Sequence, residues 1–197
     1  MKEYYDRRAP EYDDWWLGRG LFRGRERPGW EEELAEVARL LGGLPPARTL
    51  DVACGTGFIT QHLPGDVVGL DQSARMLDEA RARLPQATFV QGDALALPFP
   101  NGSFGRLFTS YFYCHLEEPE RVRFLAETRR VAGELVVMGS RPGADDEPAA
   151  RWEERVLEDG SAWQVFKRVF DPDELADELH GEVLHAGRWF VVVRAPR

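Results

Sequence analysis

The sequence predicts an α/β fold built on a mostly parallel sheet. Three observations carry that expectation. Short apolar runs of strand type alternate with helical patterns from residue 48 to residue 138, the signature of βαβ units with right-handed crossovers. Two further strand-like runs near the end of the chain are joined by a short turn, so a hairpin closes the sheet and makes it mixed. The chain has 197 residues, 43% of them hydrophobic and 30% charged, which suits one domain with a sizeable core and excludes a disordered chain or a membrane bundle.

The elements follow in order. The first 28 residues are aromatic and charged, with Tyr4, Tyr5, Tyr12, Trp15, Trp16 and Phe22. They read either as a lid over a ligand or as an amphipathic segment packed on the sheet. Arg19 to Arg27 holds four Arg and one Glu, a local charge of +3. That segment either receives an anionic group or is a solvated loop. Trp30 to Leu41 reads as a helix, because Leu34, Val37, Ala38 and Leu41 fall on one face. Gly42-Gly43 and Pro45-Pro46 stop it.

Strands are expected over Arg48 to Cys54, Asp66 to Asp71, Thr88 to Gln91, Phe104 to Ser110 and Glu134 to Met138. Helices are expected over Gly57 to Leu63, Ser73 to Leu84 and Glu118 to Val131. Residues 141–160 are acidic, with seven Asp/Glu against three Arg. Asp171, Pro172 and Glu174 form a helix-opening pattern. Glu182 to His185 and Trp189 to Arg194 make the closing hairpin.

Charge and cysteines bound the partners. A net charge of −9 disfavours duplex nucleic acid as a partner. No run is long and apolar enough to span a membrane, and the N-terminal residues lack the apolar core of a secretory leader. Cys54 and Cys114 make no disulfide framework and suit a reducing cytoplasm. His62, His180 and His185 show no ligand spacing, so no metal site is expected.

The chemistry concentrates after the first strand, in Leu50-Asp51-Val52-Ala53-Cys54-Gly55-Thr56-Gly57. Small residues at 53, 55 and 57 let the backbone turn sharply and approach a ligand, at the strand end where open α/β sheets bind. The spacing does not fit a dinucleotide fingerprint: counted from Gly55 the sixth position is Thr60, and counted from Ala53 it is Phe58. No Gly-Lys-Ser/Thr is present for a phosphate loop. Asp71 ends the second strand, where a carboxylate accepts from both ribose hydroxyls or caps the next helix. Gly92-Asp93-Ala94 follows the third strand, where a carboxylate reads an exocyclic amine. A close-approach turn, a ribose acceptor and an adenine reader describe a nucleoside without a phosphate.

At these residues the chain resembles a known family. LDVACGTG, VVGLDQSARML, QGDALALPFPNGSFG, FTSYFYCHLEEP and FLAETRRVAGELVV occur in order. They are similar to the motifs of class I, Rossmann-like S-adenosylmethionine-dependent methyltransferases, near the methyltransferase type 11 group of ubiquinone and menaquinone biosynthesis. The leading YYDRRAPEYD resembles the family's first helix. Two departures stand out: Ala53 replaces a usual Gly, and the usual Lys-Pro-Gly-Gly before the fifth strand is shortened to Ala132-Gly133.

The resemblance implies a three-layer Rossmann-like sandwich. Its seven-stranded, mostly parallel sheet would run in the order 3-2-1-4-5-7-6, with strand 7 antiparallel and an N-terminal helical lid. It implies one domain, with residues 1–45 as lid and substrate segment, 46–140 as cofactor core and 141–197 as closing helix and hairpin. It implies S-adenosylmethionine as cofactor, S-adenosylhomocysteine as product and no metal. The cofactor-binding residues would be Tyr12, Asp51, Ala53, Cys54, Gly55, Gly57, Asp71, Gln72, Met76, Asp93, Ala94 and Thr109. Asp51 stands equally as ligand and as backbone organiser.

His115 and Tyr111 are the catalytic candidates. His115 reads as a general base or as a hydrogen-bonded structural residue, and Tyr111 as acceptor-pocket wall or core. The acceptor expected is a small molecule, because the strand-four exit lacks the motif of DNA amino-methyltransferases and the chain is acidic. No nucleic-acid or membrane partner is expected, and the chain is expected as monomer or homodimer. Two rival functions remain open at this level: another nucleotide-dependent enzyme of the same fold, and a binding module that holds the cofactor without turnover.

Overall fold

The computed structural model describes residues 1–142 and 149–196. Residues 143–148 of the acidic stretch lie outside the described residues. The N-terminal segment forms α1 (Lys2–Arg8), α2 (Asp14–Leu17) and two single 3-10 turns. Next comes α3 (Trp30–Gly42), then β1 (Thr49–Val52), β2 (Val67–Asp71), α4 (Ala74–Arg83) and β3 (Thr88–Gln91). The chain continues through β4 (Phe104–Ser110), α5 (Glu118–Val131), β5 (Ala132–Ser140), β6 (Ala150–Val156) and β7 (Ala162–Arg168). It ends with α6 (Pro172–Leu179), β8 (Glu182–Ala186) and β9 (Phe190–Pro196).

Seven strands form one sheet in the order β3-β2-β1-β4-β5-β9-β8. β1 pairs in parallel with β2 and β4, and β5 in parallel with β4, while β9 runs antiparallel to both β5 and β8. This is the expected order and the expected antiparallel closing strand. The strands alternate buried side chains between two faces, as a sheet covered on both sides requires. Leu107, Leu135, Val137, Val191 and Val193 pack on one face with Phe124 of α5 and Leu175 of α6. Phe108, Val136, Met138 and Val192 pack on the other with Val37 and Leu41 of α3. Each such side chain contributes about 1.5–3 kcal/mol by leaving water.

Caps set the helix starts. Ser73 Oγ accepts from the Met76 amide at 3.1 Å and opens α4. Asp171 accepts from the Asp173 and Glu174 amides at 2.9 and 3.3 Å and opens α6, as the sequence pattern predicts.

Two expectations are corrected. The helix expected over Gly57 to Leu63 is only one 3-10 turn, Thr60–His62. Gly57 has φ +75°, outside the helical region, and Leu63 before Pro64 is extended with ψ 134°. The acidic stretch, where no strand is expected from the sequence, leads into a separate two-stranded antiparallel hairpin, β6–β7, in which Trp152 pairs with Phe166 and Arg155 with Trp163.

Candidate functional site

Parallel strands end together, and their connecting turns open a cleft at that edge. Here a cavity of about 370 Å³ lies at the carboxyl ends of β1, β2, β3 and β4. That volume lies in the range of small-ligand sites. Its floor is the turn after β1. Ala53 and Gly55 adopt left-handed backbone angles, φ 58° and 55°. A Cβ on Gly55 would meet the Tyr12 ring at 3.5 Å, so the N-terminal segment lies directly over the turn.

Asp71 ends β2 and fixes that turn. Its Oδ2 accepts from the Gly55 amide at 3.0 Å, and its Oδ1 accepts from the Ser73 amide at 2.8 Å. The helix cap is therefore Ser73, and Asp71 organises the backbone in front of it. A carboxylate offers about four acceptor positions, so capacity remains for a ligand. Burial raises its pKa, and the amides of Ser73, Gly55 and Gln72 oppose that rise.

Of the expected cofactor residues, Tyr12, Ala53, Gly55, Asp71, Gln72, Met76, Asp93 and Ala94 all line this cavity, as do the catalytic candidates Tyr111 and His115. Asp93 Oδ1 accepts from the Leu95 amide at 2.8 Å, which pins the turn after β3.

Asp51, Cys54, Gly57 and Thr109 stand behind the wall instead. Asp51 is 1% exposed and accepts from Thr60 Oγ1 at 2.6 Å, while its Oδ1 has no partner. Burial pushes its carboxyl up to about 7, with the Thr60 hydroxyl opposing and Asp71 adding to the rise. Thr109 donates to the Val52 carbonyl at 2.8 Å. Gly57 backs onto Ala80 and Leu84. Cys54 is buried against Gly69.

His115 sits in a 3-10 turn after β4. Its Nδ1 lies 2.6 Å from the Phe166 carbonyl oxygen of β7. A carbonyl only accepts, so Nδ1 carries the proton and donates. Burial lowers the imidazole to about 3, with Arg155, Arg8 and Lys167 adding to the fall. The ring is therefore neutral at physiological pH, with an unprotonated Nε2. Burial raises the Tyr111 phenol well above its ordinary value. Its ring packs at 4.8 Å from Trp15 and 5.2 Å from Trp16, so it is both core and cavity wall.

Sequence reasoning looks to residues 141–170 for part of the acceptor pocket but missed the hairpin there and the two side chains it adds to the wall, Trp152 and Phe166, whose rings lie 5.8 Å apart. It also missed the groups that hold the N-terminal segment down. Thr56 Oγ1 donates to Asp13 Oδ1 at 2.6 Å, Arg83 pairs with Asp13 Oδ2, and Ser73 Oγ donates to Asp6 Oδ1 at 2.6 Å. Asp6 and Asp13 lie seven residues apart, two turns of a helix, which is the one sequence signal for this clamp.

Residues 49–134 match the family model described as a methyltransferase domain. Two demethylmenaquinone methyltransferases are similar in sequence. The Renibacterium salmoninarum protein is 37% identical over 139 residues, covering 68% of this chain and 55% of its own length. The Thermotoga maritima protein is 34% identical over 146 residues, covering 70% and 60%.

Over residues 49–134 the chain is similar to methyltransferase domains, and over about 140 residues to demethylmenaquinone methyltransferases.

The chain spans less than two thirds of the length of both relatives. Among solved structures, the DhpI-SAM-HEP complex superimposes with a TM-score of 0.77 at 26% identity, covering 98% of this chain and 94% of that one. The PH0226 protein from Pyrococcus horikoshii, at 19% identity and TM-score 0.65 over the full length of both chains, shares the fold. Among the described residues, no group of three or more His, Cys, Asp or Glu is placed to hold a metal ion.

Proposed function

We propose that this chain is an S-adenosylmethionine-dependent methyltransferase acting on a small-molecule acceptor. The observation that carries it is the Asp71 carboxylate, fixed by backbone amides beside the Gly55 turn with acceptor capacity left over for a ligand. That geometry fits a ribose diol. Asp93, at the tip of β3, reads the adenine amine, with Met76 and Ala94 as apolar walls. Tyr12 closes over the turn. The similar DhpI chain was solved with SAM and with SAH, which supports the same cofactor here.

Bound S-adenosylmethionine supplies a methyl on a sulfonium, which an acceptor lone pair takes while the carbon–sulfur bonding pair stays on sulfur. The protein's share is orientation, which is worth about 7–11 kcal/mol in well-aligned reactions. The Tyr12 and Tyr111 side chains exclude water from the junction. His115 Nε2 accepts a hydrogen bond from the acceptor and orients it. With its imidazole at about 3, His115 is a weak base at neutral pH.

The chain works as one domain, with residues 1–45 as lid and 141–197 contributing the hairpin wall. It takes no nucleic-acid partner, as its charge of −9 supports. Among the described residues no helix is long and apolar enough to cross a membrane. Cys54 and Cys114 are buried and unpaired, which supports a cytoplasmic setting. Monomer and homodimer are both compatible with the site, which lies within one chain.

Native mass spectrometry of the purified protein tests the cofactor. Retention of S-adenosylmethionine or S-adenosylhomocysteine, and displacement of neither by NADH, is the expected result. Preferential retention of NADH would overturn the reading.

A further inference from the structure

A second cavity, of about 390 Å³, lies between the N-terminal segment and the β6–β7 hairpin. Tyr5, Tyr12, Tyr111 and His115 line both cavities, so the two share a wall. The second is walled by four cations, Arg8, Arg25, Arg155 and Lys167, and by the carboxylates Glu11, Glu153 and Glu154.

The carboxylates do not balance these cations locally. Glu153 is divided among Arg151 at 2.7 Å, Arg155 at 3.4 Å and Lys167 at 3.8 Å. Glu11 accepts from the Glu158 amide at 3.0 Å. Glu154 lines the cavity's edge from the exposed face of β6, opposite Arg155.

Arg8 is the telling residue. It is 8% exposed, donates to the Tyr4 hydroxyl and stacks 5.1 Å from the Tyr12 ring. Among the described residues no carboxylate lies within ion-pair distance of it, and Glu11, whose charge it feels from further off, is engaged by the Glu158 amide. A buried cation with so distant a counter-charge gains from an anionic ligand. Arg8, Arg155 and Lys167 also all depress the proton affinity of His115, so their field converges on the shared wall.

Of the four arginines at 19–27, Arg25 lines this cavity, its guanidinium 5.0 Å from the Phe22 ring. Arg27 instead donates to the Trp15 carbonyl at 2.6 Å and stacks on Trp30.

Resting on the methyltransferase reading above, we propose that the second cavity is the acceptor subsite and takes a small organic acid. Its oxyanion, carboxylate or phosphoryl, is held by Arg8, Arg155 and Lys167. Its remaining atoms point to the wall formed by Tyr12, Tyr111 and His115. A neutral acceptor leaves the same cations unmatched.

Calorimetry on protein saturated with S-adenosylhomocysteine tests this, with inorganic phosphate in one arm and propionate in the other. At least one anion is expected to bind with a dissociation constant of about 1 mM or tighter. The arm that binds more tightly tells phosphoryl from carboxylate. Arg155→Met and Lys167→Met are each expected to weaken that binding about tenfold or more. Neither residue lines the first cavity, so affinity for S-adenosylhomocysteine stays within about twofold in both. Independently of any variant, the saturating anion shifts the His115 ring resonances of the wild-type protein at pH 7. The proposal is overturned if neither anion binds, if both variants bind as the wild type does, or if the anion leaves the His115 ring resonances unmoved. Binding of the anion without binding of S-adenosylhomocysteine would sink the methyltransferase reading instead.

Discussion

Asp51, within β1, has one carboxylate oxygen accepting from Thr60 Oγ1 and the other unpartnered in the core. Burial raises its pKa from 3.8 to about 7. An unfolded chain ionises this group near 3.8, while the folded chain holds the proton until about 7. The folded state therefore binds more protons between those values, and stability falls as pH rises through that window. At about 1.4 kcal/mol for each tenfold change in proton affinity, the whole window corresponds to about 4 kcal/mol. About 3 kcal/mol of it falls between pH 4.5 and 8.5.

Asp51→Asn removes this titration and keeps an oxygen for the Thr60 hydroxyl. Its amide NH2 replaces the unpartnered oxygen, at a pH-independent cost of about 1–3 kcal/mol. The variant is expected to be the less stable protein at pH 4.5. Relative to the wild type it should then gain about 3 kcal/mol by pH 8.5. Urea unfolding followed by tryptophan fluorescence at four pH values measures the difference. A difference that stays constant across the series would refute a raised Asp51.

Other outcomes follow from the same geometry. Ala53 holds φ 58°, a conformation that costs a non-glycine residue about 1–2 kcal/mol. Ala53→Gly should raise unfolding stability by up to about 1 kcal/mol, after the extra freedom of glycine in the unfolded chain. A loss of stability would show that the Ala53 methyl packs usefully. Asp13→Asn weakens the pairing with Arg83 and Thr56, so amide exchange in residues 2–17 should quicken by about tenfold or more while the sheet is unaffected. Equal protection in the variant would show that other contacts seat the lid. In the ligand-free protein the His115 ring signals should show no titration between pH 5 and 8, since its imidazole is lowered to about 3. A midpoint near 6.5 would place the ring in water.

The strands were legible because β1, β2, β4 and β5 are short buried runs bounded by Gly, Pro and Asp, and because the closing hairpin announces itself as two apolar runs; their order in the sheet came from the family resemblance. The cofactor side of the cavity was legible for the same reason. Asp71 and Asp93 lie at strand tips, a position that sequence spacing fixes. Depth was not legible. Asp51 and Thr109 lie within a residue or two of cavity-lining positions, yet each points into the core and bonds Thr60 or Val52 there. The β6–β7 hairpin was missed because its inward face is charged. Arg151, Glu153 and Arg155 alternate with Trp152, Glu154 and Val156, a period-two pattern without the apolar contrast that marks a strand. The clamp of the N-terminal segment was missed because it joins Asp13 to Arg83 across 70 residues.

Isothermal calorimetry of S-adenosylhomocysteine against the wild type and Asp71→Asn tests the central claim most directly. The wild type is expected to bind one equivalent. The variant is expected to bind about 1.5–3 kcal/mol more weakly, tenfold or more, because one charged acceptor at the Gly55 turn is lost. No binding by the wild type, or equal binding by both proteins, would contradict an Asp71-centred cofactor site.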